Sequence, residues 1–306
     1  MLHFLKLIRW QNLLLIGLTQ VLIKFALFDA GFGVQITLNW FGFSMLVIAT
    51  LCIAAAGYII NDIHDIETDS INDADHVIIG QHISEKTAYN LYIILNIIGV
   101  GLGFYLSNLI GKSGFAAVFV IISALLYIYA SYLKQMTLVG NVVVSLLVAM
   151  SIIIVGVFEL LPAITEQNQP TQVTVFKILL DFALFAFLIN FIREIVKDIE
   201  DIDGDFNAEM KTLPIVIGRE RAGKVVFVLS FIPVAAVVYY MVTFLYTQQE
   251  AIGYFLIFIV APLLYFSFKS FSAYTKKEWH HLATVLKVVM LFGVLSLLIF
   301  KYFLLK

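Results

Sequence analysis

The chain has 306 residues, 61% of them hydrophobic and 13% charged, with a net charge of −2 and a mean hydropathy of +0.98. Soluble domains carry about 25% charged residues, so this composition excludes a soluble globular protein and a nucleic-acid-binding surface and indicates an integral membrane protein. The lone Cys52 lies inside an apolar run and excludes an intramolecular disulfide.

Nine apolar runs, each near the ~20 residues that a bilayer core requires, follow one another along the chain. They fall at 12–32, 39–60, 88–109, 115–134, 138–160, 173–195, 223–246, 251–270 and 282–304. The first follows Lys6 and Arg9 and has no small-residue cleavage site, so it reads as a span and not as a cleavable leader. All nine are continuous rather than alternating, which predicts helices and not barrel strands. Short connections after spans 3, 4 and 7 favour antiparallel neighbours in a bundle. The connection at 161–172 carries Pro162 and Pro170 and reads as a surface loop. The whole chain, 1–306, reads as one domain.

Two long connections, 61–87 and 196–222, each open on an acidic cluster. The first reads Asn61-Asp62-Ile63-His64-Asp65-Ile66-Glu67-Thr68-Asp69; the second reads Asp198-Ile199-Glu200-Asp201-Ile202-Asp203-Gly204-Asp205. If the N-terminus is cytoplasmic, thirteen Lys and Arg fall on the inner side and five on the outer, with Lys24 among the outer five and Lys287 left inside span 9. That bias sets the N-terminus inside. Four crossings separate the two clusters, so both face the cytoplasm.

On continuing helices, Asn61, Asp65 and Asp69 would share one stripe, as would Asp198, Asp201 and Asp205. Asp62 would point about 100° away from Asn61. Carboxylates are costly beside hydrocarbon, and two columns of oxygen donors at matching depth suit a hard cation such as Mg²⁺, which is held by a few carboxylates together with substrate phosphates. His64 is a poor ligand in such an oxygen-rich set.

The motifs resemble those of the UbiA superfamily of intramembrane prenyltransferases. That family has nine helices and an aspartate-rich motif after helix 2 and after helix 6. The stretch from Arg193-Glu194 through Asp205 to Lys211-Thr212-Leu213-Pro214-Ile215 is similar to the branch that makes digeranylgeranylglyceryl phosphate. The resemblance implies an all-α, polytopic nine-helix bundle with a central cavity open to the cytoplasmic side. It implies Mg²⁺-dependent transfer of a polyprenyl group, geranylgeranyl in that branch, from its diphosphate to a membrane-associated acceptor. A prenylglycerol phosphate is the expected acceptor and an aromatic quinone precursor the alternative.

Metal–diphosphate roles fall, by the same resemblance, on Asn61, Asp65, Asp69, Asp198, Asp201 and Asp205. Asp65, Asp69, Asp198, Asp201 and Lys134 form the expected catalytic set. Asn12, Asn61, Tyr129, Asn190, Arg193 and Lys197 are the expected substrate contacts. Arg9 joins Asn12 at the entrance of span 1, and Tyr127, Tyr129 and Tyr132 offer ring faces to a cation. One segment departs from that branch: where it reads DRPIPSG, this chain has Asp75-His76-Val77-Ile78-Ile79-Gly80-Gln81, which replaces a guanidinium with a titratable imidazole. A transporter would place charge or broken helices at mid-membrane. Gly101, Gly103, Pro233 and Pro262 are the only candidate breaks, and no polar residues accompany them.

Overall fold

A backbone inside hydrocarbon must satisfy its own hydrogen bonds, and helices do so within one segment. The computed structural model describes residues 2–28, 33–72 and 77–303; side chains beyond 299 and the stretch Asp73–His76 lie outside the described residues. Among the described residues nine helices are long and apolar enough to cross a membrane. We label them α1 (Trp10–Phe28), α2 (Trp40–His64), α3 (Glu85–Leu109), α4 (Ser113–Ser131), α5 (Val139–Glu159), α6 (Gln169–Glu200), α7 (Arg219–Phe244), α8 (Gln249–Ser272) and α9 (Lys276–Ile299). The protein is a multi-pass integral membrane protein.

Local chemistry sets the helix ends. The Asn39 side chain caps α2 by accepting from the Gly42 amide, and Ser84 caps α3 by accepting from Thr87. Pro170 opens α6, where its missing N–H costs nothing. The α3 helix runs unbroken through Gly101 and Gly103, and α7 through Pro233, so the suspected breaks there do not occur. Next to Pro262, α8 does change pitch, with a π-helical stretch at Leu256–Val260.

Helices α1, α2, α4, α5, α6 and α9 surround a central cavity, while α3, α7 and α8 pack outside that ring. Small residues let the outer layer approach. A methyl at Gly99 would strike the Ile53 side chain and the Ala49 carbonyl of α2, and one at Gly103 would strike the Phe119 ring of α4.

The end of the bundle opposite the acidic segments is closed by a buried ion pair. Lys24, only 3% exposed, donates from Nζ to Oε1 of the fully buried Glu159 at 2.5 Å and to the Leu38 carbonyl at 2.6 Å. The other Glu159 carboxylate oxygen accepts from the Leu38 amide at 3.0 Å. The last six residues of α1, Ile23–Phe28, form a π-helix, in which Lys24 is buried. Lys24, counted above among the outer-side charges, lies at that end but is buried in this pair.

Candidate active site at the mouth of the cavity

Hydropathy marks the ends of α2 and α6 too early, because a helix does not stop bonding where its residues turn polar. Asn61 to His64 remain on α2, and Arg193 to Glu200 remain on α6. Each helix then breaks at an aspartate: Asp65 (φ −101°, ψ 3°) and Asp201 (φ −100°, ψ 10°) leave helical geometry and lead into short helices, Ile66–Asn72 and Ile202–Asn207. The two continuous stripes expected from spacing are thus each bent at their middle member.

The bend turns the two acidic segments towards each other. The Asn72 side-chain oxygen accepts from the Gly204 amide at 2.8 Å, and Lys276 donates to the Asn72 carbonyl at 2.7 Å. Gly204 is required for that approach, since a Cβ there would overlap the Asn72 side chain. Sequences 132 residues apart are so latched into one rim.

Below the rim is a cavity of about 360 Å³. Its deep part is lined by apolar side chains such as Ile53, Phe119, Ile122, Phe182 and Leu297. Its mouth holds Asn12, Asn61, Asp65, Asp69, Tyr129, Lys134, Asn190, Arg193, Lys197, Asp198, Asp201 and Asp205, so the expected catalytic, substrate-contact and metal sets all line this one cavity. Tyr127 and Tyr132 do not line it and are 46% and 60% exposed, so of the three tyrosines only Tyr129 can present its ring to a bound group. The loop with His76 cannot be placed against the site, since Asp75 and His76 lie outside the described residues.

One acid of each cluster is held by hydrogen bonds. Lys134, on a 3₁₀ turn at Leu133–Gln135, donates to Asp65 Oδ1 at 2.5 Å, and Asn61 Nδ2 donates to Asp65 Oδ2 at 2.6 Å. Gly140 lets that turn pack tightly, because a Cβ there would meet the Lys134 and Leu133 backbone. Asp198 accepts from Asn141 Nδ2 at 2.8 Å, and Asn190 reaches Ser145 beside it at 3.2 Å. Asn141, a lone amide in an apolar run, thus makes an interhelical hydrogen bond to the second acidic cluster and lines the cavity.

Asp62 also has its purpose settled. Arg9 adopts the left-handed conformation (φ 48°), uncommon for a residue with a side chain, and its guanidinium bonds Asp62 Oδ1 at 2.8 Å and covers the Tyr58 ring at 5.1 Å. This pair fastens the start of α1 to the end of α2.

Burial raises the acids at the rim. The Asp69 carboxyl is pushed up to about 7 by burial and then by Asp65 and Asp62. Asp205 is likewise pushed to about 7 by burial and by Asp201 and Asp65. Asp201 reaches about 6 through burial, with Lys197 opposing. Such groups ionise readily once a cation arrives to hold the charge.

The donor set fits a hard divalent cation. It is built of carboxylate and amide oxygens, and Asn61 Oδ1 is buried with no hydrogen-bond partner. Among the described residues no three carboxylate or imidazole groups converge into a closed metal cage. Ligands from a bound substrate would have to complete the coordination, as phosphate oxygens do for Mg²⁺.

Comparisons with known proteins agree with this architecture. The model of the UbiA prenyltransferase family matches residues 22–302. A digeranylgeranylglyceryl phosphate synthase of Methanosphaera stadtmanae is 30% identical over 258 residues, covering 82% of this chain and 86% of its own. A structure of digeranylgeranylglyceryl phosphate synthase superimposes with a TM-score of 0.63 at 22% identity, over 98% of this chain and 97% of the other. A UbiA homolog from Archaeoglobus fulgidus, bound to GPP and Mg²⁺, gives 0.57 at 17% identity over 97% and 99%.

Proposed function

The chain belongs to the UbiA prenyltransferase family, and we propose that this prenyltransferase moves a geranylgeranyl group from its diphosphate to a prenylglycerol phosphate. The observation that carries this reading is the latch between Asn72 and Gly204, which holds two acidic segments over one apolar cavity. The relatives are digeranylgeranylglyceryl phosphate synthases, which supports the acceptor. The positive-inside bias supports a mouth that opens to the cytoplasm.

In this reading Asn61, Asp65, Asp69, Asp198, Asp201 and Asp205 hold Mg²⁺, and Lys134 sits beside the diphosphate. Bound Mg²⁺ neutralises the diphosphate and makes it a leaving group. The apolar cavity wall holds the isoprenoid tail and keeps water from the allylic carbon. Tyr129 lies at the mouth with its ring available to the developing positive charge. The C1–O bond to diphosphate breaks, the acceptor's hydroxyl oxygen bonds C1, and the hydroxyl proton leaves with the diphosphate. Asn12, Asn190, Arg193 and Lys197 complete the polar wall that orients the two substrates.

The test is release of diphosphate by purified protein in detergent. Release is expected only when Mg²⁺, geranylgeranyl diphosphate and a prenylglycerol phosphate are all present; release without acceptor, or none at all, overturns the reading. The Mg²⁺ concentration for half-maximal release should fall as pH rises from about 6 to about 7, because Asp69, Asp201 and Asp205 must lose protons to bind the ion. The same raised carboxyls bind protons more tightly folded than unfolded, so without metal stability falls as pH climbs from about 4, the unfolded value, to about 7.

Gly204→Ala supplies a second check. Its methyl displaces Asn72 and parts the two segments, so the Mg²⁺ requirement should rise roughly tenfold, the cost of about one hydrogen bond. Thermal unfolding should change little, since the latch lies at the rim.

A further inference from the structure

The cavity mouth has a second, oppositely charged side. Helix α9 runs antiparallel to α6: Lys276 lies 3.9 Å from Asp201, His280 bonds Glu200 at 2.9 Å, and Gly293 abuts Phe185. That register sets Lys287 opposite Arg193, well inside the bundle, about 16 Å along α9 from its start. Lys287 lines the cavity and feels the charges of Arg193, Lys197 and Arg9.

These four cations differ in their partners. Arg9 is paired with Asp62, and Arg193 Nη1 with Glu194 at 3.0 Å. Lys197 and Lys287 make no ion pair within 4.0 Å among the described residues; Lys197 feels the Glu194 and Asp201 carboxylates, and Lys287 feels the neighbouring cations. Arg193 Nε is buried without a partner. A buried guanidinium N–H of Arg193 without a partner, beside a Lys287 ammonium with no carboxylate within ion-pair distance, points to an anion on this side of the cavity.

We propose that Lys287, with Lys197 and Arg193, forms a metal-independent site for the phosphomonoester of the acceptor, apart from the acidic rim where diphosphate binds with its metal. A phosphomonoester carries about −1.5 to −2 charges at pH 7 and offers three acceptor oxygens to these donors. A carboxylate, at −1 and with two oxygens, meets fewer of these donors, so the same site selects phosphate-bearing acceptors over aromatic acids. The acidic rim repels any phosphate that comes without a cation. This site rests on the reading that the acceptor bears phosphate.

The probe is a long-chain alkylglycerol phosphate, bound to full-length protein in detergent with EDTA present. Wild-type protein should bind it and not the alkylglycerol without phosphate. Lys287→Met should weaken binding roughly 10- to 100-fold, the loss of one charge-assisted bond, and Lys287→Arg should restore most of it. A geranylgeranyl thiodiphosphate analogue with Mg²⁺ should bind Lys287→Met as it binds wild type. Unchanged phosphate binding by Lys287→Met, or an equal loss for the diphosphate analogue, overturns the site. If wild type binds the alkylglycerol phosphate but never alkylates it, the phosphate site stands and the proposed acceptor reaction falls.

Discussion

Replacing Asp65 or Asp201 with alanine is expected to lower turnover by roughly 10³-fold or more while the protein stays folded. Both residues stand where a membrane helix breaks, and both face the cavity mouth. Asp65 gathers Lys134 and Asn61 around itself, so its loss removes an oxygen donor and leaves the Lys134 ammonium without its carboxylate. Asp201 faces Lys276 across the rim and contributes to the raised Asp205 carboxyl. Neither side chain belongs to the apolar packing, so both variants should stay folded, Asp65→Ala with the larger drop in unfolding temperature because it leaves the largely buried Lys134 without its carboxylate. Glu67→Ala, at an exposed acid of the same segment outside the cavity, should keep wild-type activity. Activity near wild type for Asp65→Ala or Asp201→Ala, with Mg²⁺ present, would remove these residues from the mechanism.

The largest expected effect on stability lies at the opposite end. Glu159→Leu leaves the Lys24 ammonium buried with the Leu38 carbonyl and the Phe43 ring as its remaining neighbours. Breaking one side of a buried pair costs about 3–5 kcal/mol. The double variant Lys24→Met with Glu159→Leu should recover most of that loss, because both desolvation penalties disappear together. Thermal unfolding in detergent reads the difference. Equal destabilisation by the single and double variants would show that the pair matters for its shape and not for its charge balance. Since this pair seals the far end of the bundle, the Mg²⁺ requirement at the mouth should not change in whichever variants stay folded.

What the sequence reveals here follows from how each feature is encoded. The nine spans are legible because burial in lipid demands long apolar runs, and the acidic clusters because charge stands out against them. Helix ends are less so: α6 runs from Gln169 to Glu200, well beyond its apolar part, because helical bonding continues through Arg193 to Lys197. The bends at Asp65 and Asp201 have no glycine or proline to announce them, so the spacing alone suggested straight stripes. Lys24 and Glu159 pair across 135 residues, and each reads singly as a charge near a membrane surface. Asn141 and Lys287 are lone polar residues in apolar runs, and only the packing of α5, α6 and α9 around the cavity gives them partners or a face. The Arg9–Asp62 bond was half visible: the 100° offset of Asp62 set it apart from its neighbours, but its partner lies 53 residues away.

The most direct measurement is a competition. Purified protein receives geranylgeranyl diphosphate and Mg²⁺ together with equal amounts of a prenylglycerol phosphate and an aromatic acid, and the prenylated products are identified by mass. The expected result is one product, the prenylglycerol phosphate carrying a second prenyl group in ether linkage, and none when EDTA replaces Mg²⁺. A prenylated aromatic acid as the main product, or ether product formed without a divalent cation, would contradict it.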